Sequence, residues 1–211
     1  MEFEGVYPAI ITPLDETNKF KEEELKELFP NHSVARMDQD TTKGKHAYAK
    51  LIERMEDKDI DILVGTQMLA KGLDFRDVSL VGVMNADNLL NFPDFRAHER
   101  SFQLLQQVAG RAGRTQKRGK VIIQSYNPYH QILQQVSSNN YAEMYKEQMD
   151  DRYNFKYPPY YRLIKLTLKS RDYNLVNEAS AWLAKALSQA FHPHVLGPQF
   201  PPVARIRNEY Y

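Results

Sequence analysis

The chain of 211 residues contains no cysteine, which excludes disulfides and any zinc or iron–sulfur site held by thiolates. Its six histidines show no His-Glu-x-x-His spacing, and His192-Pro193-His194 reads as a turn rather than a metal site. No apolar run approaches the length of a membrane span, and the acidic amino terminus is unlike a secretory signal. The expected location is therefore the cytoplasm, with no membrane partner. A net charge of +1 gives no global attraction to nucleic acid, so any such binding has to come from a local patch. The phosphate-binding pattern Gly-x-x-x-x-Gly-Lys-Ser/Thr is also missing: Gly44-Lys45 is followed by His46, and Gly119-Lys120 by Val121. With it go the loop that cradles a nucleotide's phosphates, its lysine and its magnesium-binding hydroxyl. Asp15-Glu16 follows the apolar Ala9-Ile10-Ile11 in the manner of a magnesium-binding acidic pair, but Pro13 interrupts the strand and no phosphate loop accompanies it.

Hydrophobic residues at 42% and charged residues at 26% match an ordinary soluble globular protein, long enough for one good core plus a smaller unit. The middle of the chain alternates strand and helix. Val34–Met37, Ile60–Val64, Leu80–Met84 and Val121–Gln124 read as strands. Tyr48, Leu51, Ile52 and Met55 recur at i, i+3, i+4 and i+7, which predicts an amphipathic helix. A second helix is expected from about Glu99 to Arg114, with Phe102, Leu105 and Ala109 on one side, and a short one over Gln131–Val136. Near-continuous apolar strands between amphipathic helices predict an α/β fold with a parallel sheet covered on both faces, its ligands beyond the carboxyl ends of the strands. A small α+β unit is expected after Tyr157-Pro158-Pro159-Tyr160, where two prolines halt regular structure. Ile164, Leu166 and Leu168 alternate there as a half-buried strand, and Leu175, Ala179, Trp182, Leu183, Ala186 and Ala190 mark a helix with Trp182 in the core. A last strand is expected over Val203–Ile206.

One stretch carries chemistry. In Gln107-Val108-Ala109-Gly110-Arg111-Ala112-Gly113-Arg114, residues Gln107, Arg111 and Arg114 fall at i, i+4 and i+7, so on a helix they share one face. Arginine is a fixed cation whose planar fork fits phosphate oxygens. Glycine inside a helix costs about 1 kcal/mol relative to alanine, so two glycines beside two arginines suggest close approach by a nucleotide or a facing lobe. A basic helix ending in a glycine C-cap would carry the same residues. Around the motif, Arg96, Arg100, Arg111, Arg114, Lys117, Arg118 and Lys120 form a basic stretch whose single acid is Glu99. It is either a nucleic-acid patch or a solvated face.

From roughly Glu23 to its end the chain resembles the primosomal protein N′ (PriA) family of replication-restart DNA helicases, through Gly65-Thr66-Gln67-Met68-Leu69-Ala70-Lys71-Gly72-Leu73-Asp74-Phe75, Asn91-Phe92-Pro93-Asp94-Phe95-Arg96-Ala97-His98-Glu99-Arg100, the glutamine–arginine motif and Tyr157-Pro158-Pro159-Tyr160. The resemblance implies a RecA-like second motor lobe over residues 23–155 and a truncated C-terminal domain over 156–211. It implies that Thr66, Gln67 and Lys71 meet the DNA backbone, and that Gly72, Asp74 and Gly110 lie toward the nucleotide. Gln107, Arg111 and Arg114 become the catalytic set, with Arg111 and Arg114 as arginine fingers reaching the γ-phosphate across the interlobe cleft. ATP and magnesium belong to the complete enzyme, and neither is expected to bind this chain tightly. The family's zinc module has no counterpart here, so no zinc is expected. The implied partners are single-stranded or forked DNA, the first helicase lobe and replication-restart proteins.

The opening Gly5-Val6-Tyr7-Pro8-Ala9-Ile10-Ile11-Thr12-Pro13-Leu14-Asp15 resembles instead the first strand of the N-acetylneuraminate lyase and dihydrodipicolinate synthase family. Residues 1–22 are accordingly read as a foreign or recombined leader, whose Val6–Ile11 could add a strand to the sheet. Three functions stay open. The first is a helicase fragment, inactive in ATP hydrolysis alone. The second is a non-catalytic module that binds nucleic acid or a partner protein, and the third a lyase.

Overall fold

The structure is a computed structural model and describes residues 9–13, 18–37, 47–65, 78–110, 112, 119–201 and 203–211, with 9–13, 18–21 and 48 at the level of the backbone. It divides into two compact units, Met1–Tyr160 and Tyr161–Tyr211.

The first unit is built on a five-stranded sheet of β1 (Ala9–Pro13), β2 (Val34–Met37), β3 (Ile62–Gly65), β4 (Leu80–Met84) and β5 (Lys120–Ile123). Its order is β2-β3-β1-β4-β5, and every neighbouring pair is parallel. Burial follows position in that order. All four residues of β3 are buried, as a continuous apolar run between two covered faces must be. The edge strand β5 alternates instead, and Ile122 is 48% exposed. The starts of β2 and β3 are pinned together by side-chain bonds: Ser33 Oγ donates to the Asp59 carbonyl at 2.6 Å, and the Ser33 amide donates to Asp61 Oδ2 at 2.8 Å.

The strand allowed over Val6–Ile11 is observed over Ala9–Pro13, with residues 6–8 outside the described residues. β1 occupies the centre of the sheet, with Ile10 opposite Leu63 on one side and Val81 on the other.

Helices α1 (Asn18–Leu28), α2 (Ala47–Glu56), α3 (Asp87–Leu90), α4 (Ala97–Ala109), α5 (Gln131–Ser137) and α6 (Tyr141–Asn154) complete the unit. In α4 the buried residues Ala97, Ser101, Phe102, Leu105 and Val108 form one stripe against the core. This helix is shorter than expected. It ends at Ala109 with Gly110 as its C-cap in right-handed geometry, φ −65° and ψ −3°, and the two arginines expected to continue its face lie outside the described residues.

α6 is absent from the expectation above. Only Met144 and Gln148 are buried in it, too few to show a helical period. Its signal is the cap: Asn140 Oδ1 accepts the Glu143 amide at 3.2 Å, while Asn140 Nδ2 donates to Glu143 Oε2 at 2.6 Å. That reciprocal pairing satisfies an otherwise orphaned helix-end donor.

In the second unit, α7 (Tyr173–Phe191) is capped by Asp172, whose Oδ1 accepts the Asn174 amide at 2.8 Å and the Leu175 amide at 3.3 Å. β6 (Arg205–Ile206) and β7 (Glu209–Tyr210) form an antiparallel hairpin; the strand expected over Val203–Ile206 is shortened to β6, and β7 was not expected. His192 caps the carboxyl end of α7, and a turn follows it. Two expectations fail here. Trp182 is 70% exposed, so it is not core, and Val176 is the buried residue of α7. The alternating segment Ile164–Leu168 has no strand partner among the described residues, and Ile164 is 81% exposed. Periodicity announced an apolar face in both places, and the unit has little with which to cover it.

Candidate functional site

Parallel strands bring the sheet's carboxyl ends to one edge. β1, β2 and β3 finish at Pro13, Met37 and Gly65. At the ends of β4 and β5 the edge is closed by hydrogen bonds. Gln124 donates its amide to the Val83 carbonyl at 2.8 Å and accepts the Ala86 amide at 2.9 Å. Asp87 Oδ1 accepts from Ser125 Oγ at 2.9 Å and Oδ2 from the Tyr126 amide at 3.0 Å. Burial works against ionising Asp87, but these bonds outweigh it and hold its carboxyl below the ordinary value. The aspartate fixes the β5 exit against the start of α3. Asn85, just before it, takes φ 56°, a left-handed geometry that asparagine tolerates better than most residues.

Two of the expected site residues are described. Gln107 lies exposed on α4, on the side away from the buried stripe, and Gly110 is exposed at its cap. The Gly110 amide donates to the Gln106 carbonyl at 2.9 Å. Arg111, Arg114, Thr66, Gln67, Lys71, Gly72 and Asp74 lie outside the described residues. Arg100 and Gln103 share the exposed side of α4 with Gln107 and Gly110, at i, i+3, i+7 and i+10. Gln103 was not singled out in the sequence. Its signal was one turn's distance from Gln107.

The basic stretch is partly neutralised. Arg96 Nη2 lies 3.0 Å from Glu99 Oε1, and Arg100 Nη1 lies 2.9 Å from Asp94 Oδ2. Asp94 precedes the stretch in sequence and so escaped its charge count. Glu99 also binds Arg152 of α6, whose guanidinium lies over the Phe95 ring at 5.4 Å. Phe95 in turn stacks on Tyr157 at 4.9 Å between centroids. Through Glu99 and Phe95 this cluster ties α6 and the Tyr157 segment to the start of α4, and so orients the helix that carries the motif.

The hydrogen bond from Arg96 outweighs burial and, with Arg152, holds the Glu99 carboxyl below its ordinary 4.5. A depressed acid stabilises the fold fully above its unfolded value, and that contribution is lost as pH falls through the folded one. Glu99→Gln is therefore expected to cost about 2 kcal/mol at neutral pH, seen as a lower urea midpoint with unchanged helix content. Below pH 4.5 the gap between variant and parent should narrow, and a gap independent of pH would contradict the ion-pair account.

His98 and His130 meet edge to face at 5.2 Å. Burial, and then His98, push His130 below its ordinary value against a smaller opposing effect of Asp87. A neutral His130 is what the structure uses, since its Nδ1 accepts the Ile132 amide at 3.2 Å and caps α5.

Among the described residues no three acidic or histidine side chains converge as a metal site, and no helix is long and apolar enough to cross a membrane. At the end of α4 the structure offers an exposed glutamine and an exposed glycine cap. They do not make a phosphate cradle.

The helicase conserved C-terminal domain family matches residues 9–116, from the first residue of β1 to beyond α4. Replication restart protein PriA of Bacillus subtilis (strain 168) is 45% identical over 192 residues, covering 90% of this chain and 24% of that protein. The protein of the same name from Synechocystis sp. is 40% identical over 190 residues, covering 89% and 23%. The chain thus spans about a quarter of the length of these curated relatives. Among solved structures, the C-terminal domain of the DEAD-box protein Dbp5 aligns with a TM-score of 0.49 at 21% identity, over 66% of this chain and 73% of that one. The chain belongs to the helicase conserved C-terminal domain family, and its first unit has the α/β fold of a RecA-like helicase lobe.

Proposed function

We propose that the chain is part of an ATP-dependent superfamily-two DNA helicase of replication restart, in which it supplies arginine fingers and part of the DNA track. The observation that carries this reading is the family match over residues 9–116, which contains three of the four helicase-like segments, Gly65–Phe75, Asn91–Arg100 and Gln107–Arg114. Similarity to replication restart protein PriA over nine-tenths of the chain supports it. In this proposal residues 1–22 are a leader whose strand β1 serves the lobe, residues 23–155 are the second motor lobe, and 156–211 begin the C-terminal domain.

The magnesium-bound ATP of the complete enzyme supplies the phosphoryl group that is transferred to water. Arg111 and Arg114 would place positive charge beside that group, with Gln107 next to them and Gly72, Asp74 and Gly110 along the nucleotide. Thr66, Gln67 and Lys71 would hold the backbone of single-stranded or forked DNA. The partners are the first helicase lobe and replication-restart proteins, in the cytoplasm. A module that only binds nucleic acid is disfavoured by the ion pairs of Arg96 and Arg100, which leave less free positive charge than the sequence suggests.

The test is a graft. This chain replaces the matching stretch of the Bacillus subtilis relative, and DNA-stimulated ATP hydrolysis is measured for the hybrid and for the chain alone. The hybrid is expected to retain hydrolysis and the isolated chain to show none. A folded but inactive hybrid, or magnesium-dependent turnover by the chain alone, would overturn the assignment.

A further inference from the structure

Gln106 stands next to Gln107 on α4, but its side chain is half-buried and its Nε2 donates to the Val136 carbonyl at 2.9 Å. Val136 lies in the last turn of α5, where helix carbonyls lack intrahelical donors. The same oxygen also accepts the Asn139 amide at 3.1 Å. Gln106 is held on its backbone side too, since its carbonyl accepts the Gly110 amide at 2.9 Å and closes the helix. α5 is a firm anchor. His130 caps its start, the Gln135 carbonyl accepts the Asn140 amide at 2.8 Å at its end, and Gln135 Nε2 donates to Glu147 Oε2 of α6 at 2.5 Å. α4 is thereby fastened to α6 at both ends, directly at its start through Glu99 and Arg152 and by way of α5 at its finish. Apolar burial is non-directional, whereas a hydrogen bond confines both distance and angle. Two such fastenings a helix length apart set where α4 points and how far it is turned about its axis.

We propose that Gln106 is a positioning residue for ATP hydrolysis: through Val136 it fixes the last turn of α4, and with it Gln107 and the arginines that follow Gly110 in sequence. The role rests on the arginine-finger reading of those arginines. Gln106 acts through them and not on the nucleotide, because its amide is engaged inside the lobe. A guanidinium stabilises a developing charge only where it is placed, and a displacement of about 1 Å can cost about a hundredfold in rate. Gln106→Met keeps the length of the side chain and removes the donor. The Val136 carbonyl keeps its bond from Asn139, so no buried acceptor is orphaned and the variant should fold. Gln106→Glu keeps the shape and, at neutral pH, sets a second acceptor against the Val136 carbonyl.

Two measurements separate this role from general support of the fold and from the helicase reading. In the chain alone, Gln106→Met should speed amide hydrogen exchange at Gly110 by about tenfold while leaving Phe102 and Leu105 of the same helix unchanged. Equal acceleration at all three, or none at Gly110, overturns the proposal. In the hybrid with the Bacillus subtilis relative, Gln106→Met and Gln106→Glu should each lower kcat about ten- to a hundredfold, with KM for ATP within about twofold of the parent. An unchanged kcat overturns the proposal, as does a Gln106→Glu enzyme that keeps its turnover while Gln106→Met loses it, since packing and not the hydrogen bond would then be responsible. An inactive parent hybrid, or arginine variants with full turnover, would instead remove the helicase reading and the catalytic half of the proposal with it. Exchange at Gly110 would then decide, by itself, whether Gln106 fastens α4.

Discussion

Deleting residues 1–13 is expected to abolish cooperative unfolding of the first unit. β1 lies between β3 and β4, paired at Ala9–Ile11 with one and at Ala9–Pro13 with the other. Those two strands do not pair with each other. Without β1 the sheet falls into β2-β3 and β4-β5, and two-stranded pieces are marginal in water. The interior edges so exposed belong to strands that hold Leu63, Val64 and Val81, all at 0% exposure. The loss is expected to exceed the roughly 5–15 kcal/mol that stabilises a domain, leaving a chain with helix signal in circular dichroism but no sigmoidal urea transition. Ile11→Pro is the milder form of the experiment. Its ring removes one backbone donor from a strand bonded on both sides, at a cost of about 3 kcal/mol. A truncated chain that unfolds at the parent's midpoint would show that β3 and β4 can close on each other.

The same strand marks where the sequence was readable and where it was not. Val34–Met37 and Leu80–Met84 have their observed ends because turn-forming residues flank short apolar runs. The run Ile62–Val64 could be assigned to the sheet interior because continuous apolarity is affordable only to a strand covered on both faces. A strand from the opening residues was legible only as a possibility and its central place not at all, since strand order depends on long-range pairing that no local pattern encodes. α6 escaped because its stability comes from a cap and from the Glu99–Arg152 pair more than from an apolar stripe. At Trp182 and Ile164 the apolar period was real, but period reports which side chains share a face and says nothing of whether anything covers it.

For the candidate site, helical spacing placed Gln107 on an exposed face, as found. The helix itself ends at Ala109, short of the expected Arg114, because the Gly110 cap closes it. The charge count failed at Arg100, whose partner Asp94 is six residues away and outside the stretch that was counted.

Arg111→Ala and Arg114→Ala, each made in the hybrid enzyme, are expected to reduce ATP turnover by about three to five orders of magnitude, or about 4–7 kcal/mol of barrier. The phosphoryl group in flight carries charge on its equatorial oxygens, and a guanidinium held in a water-poor cleft meets it without reorganisation. The loss should fall on kcat, with little change in KM for ATP, because the interaction strengthens only as that charge redistributes. Arg111→Lys and Arg114→Lys keep the cation but lose the planar fork, so they should recover little. Folding is the control. The α4 core of Phe102, Leu105 and Val108 is complete before the Gly110 cap, so all four variants should unfold at the parent's urea midpoint. Unchanged turnover in both alanine variants would remove the arginine fingers from the mechanism while leaving family and fold intact. A shared loss of midpoint and turnover would assign the two arginines to the lobe's stability instead of its chemistry.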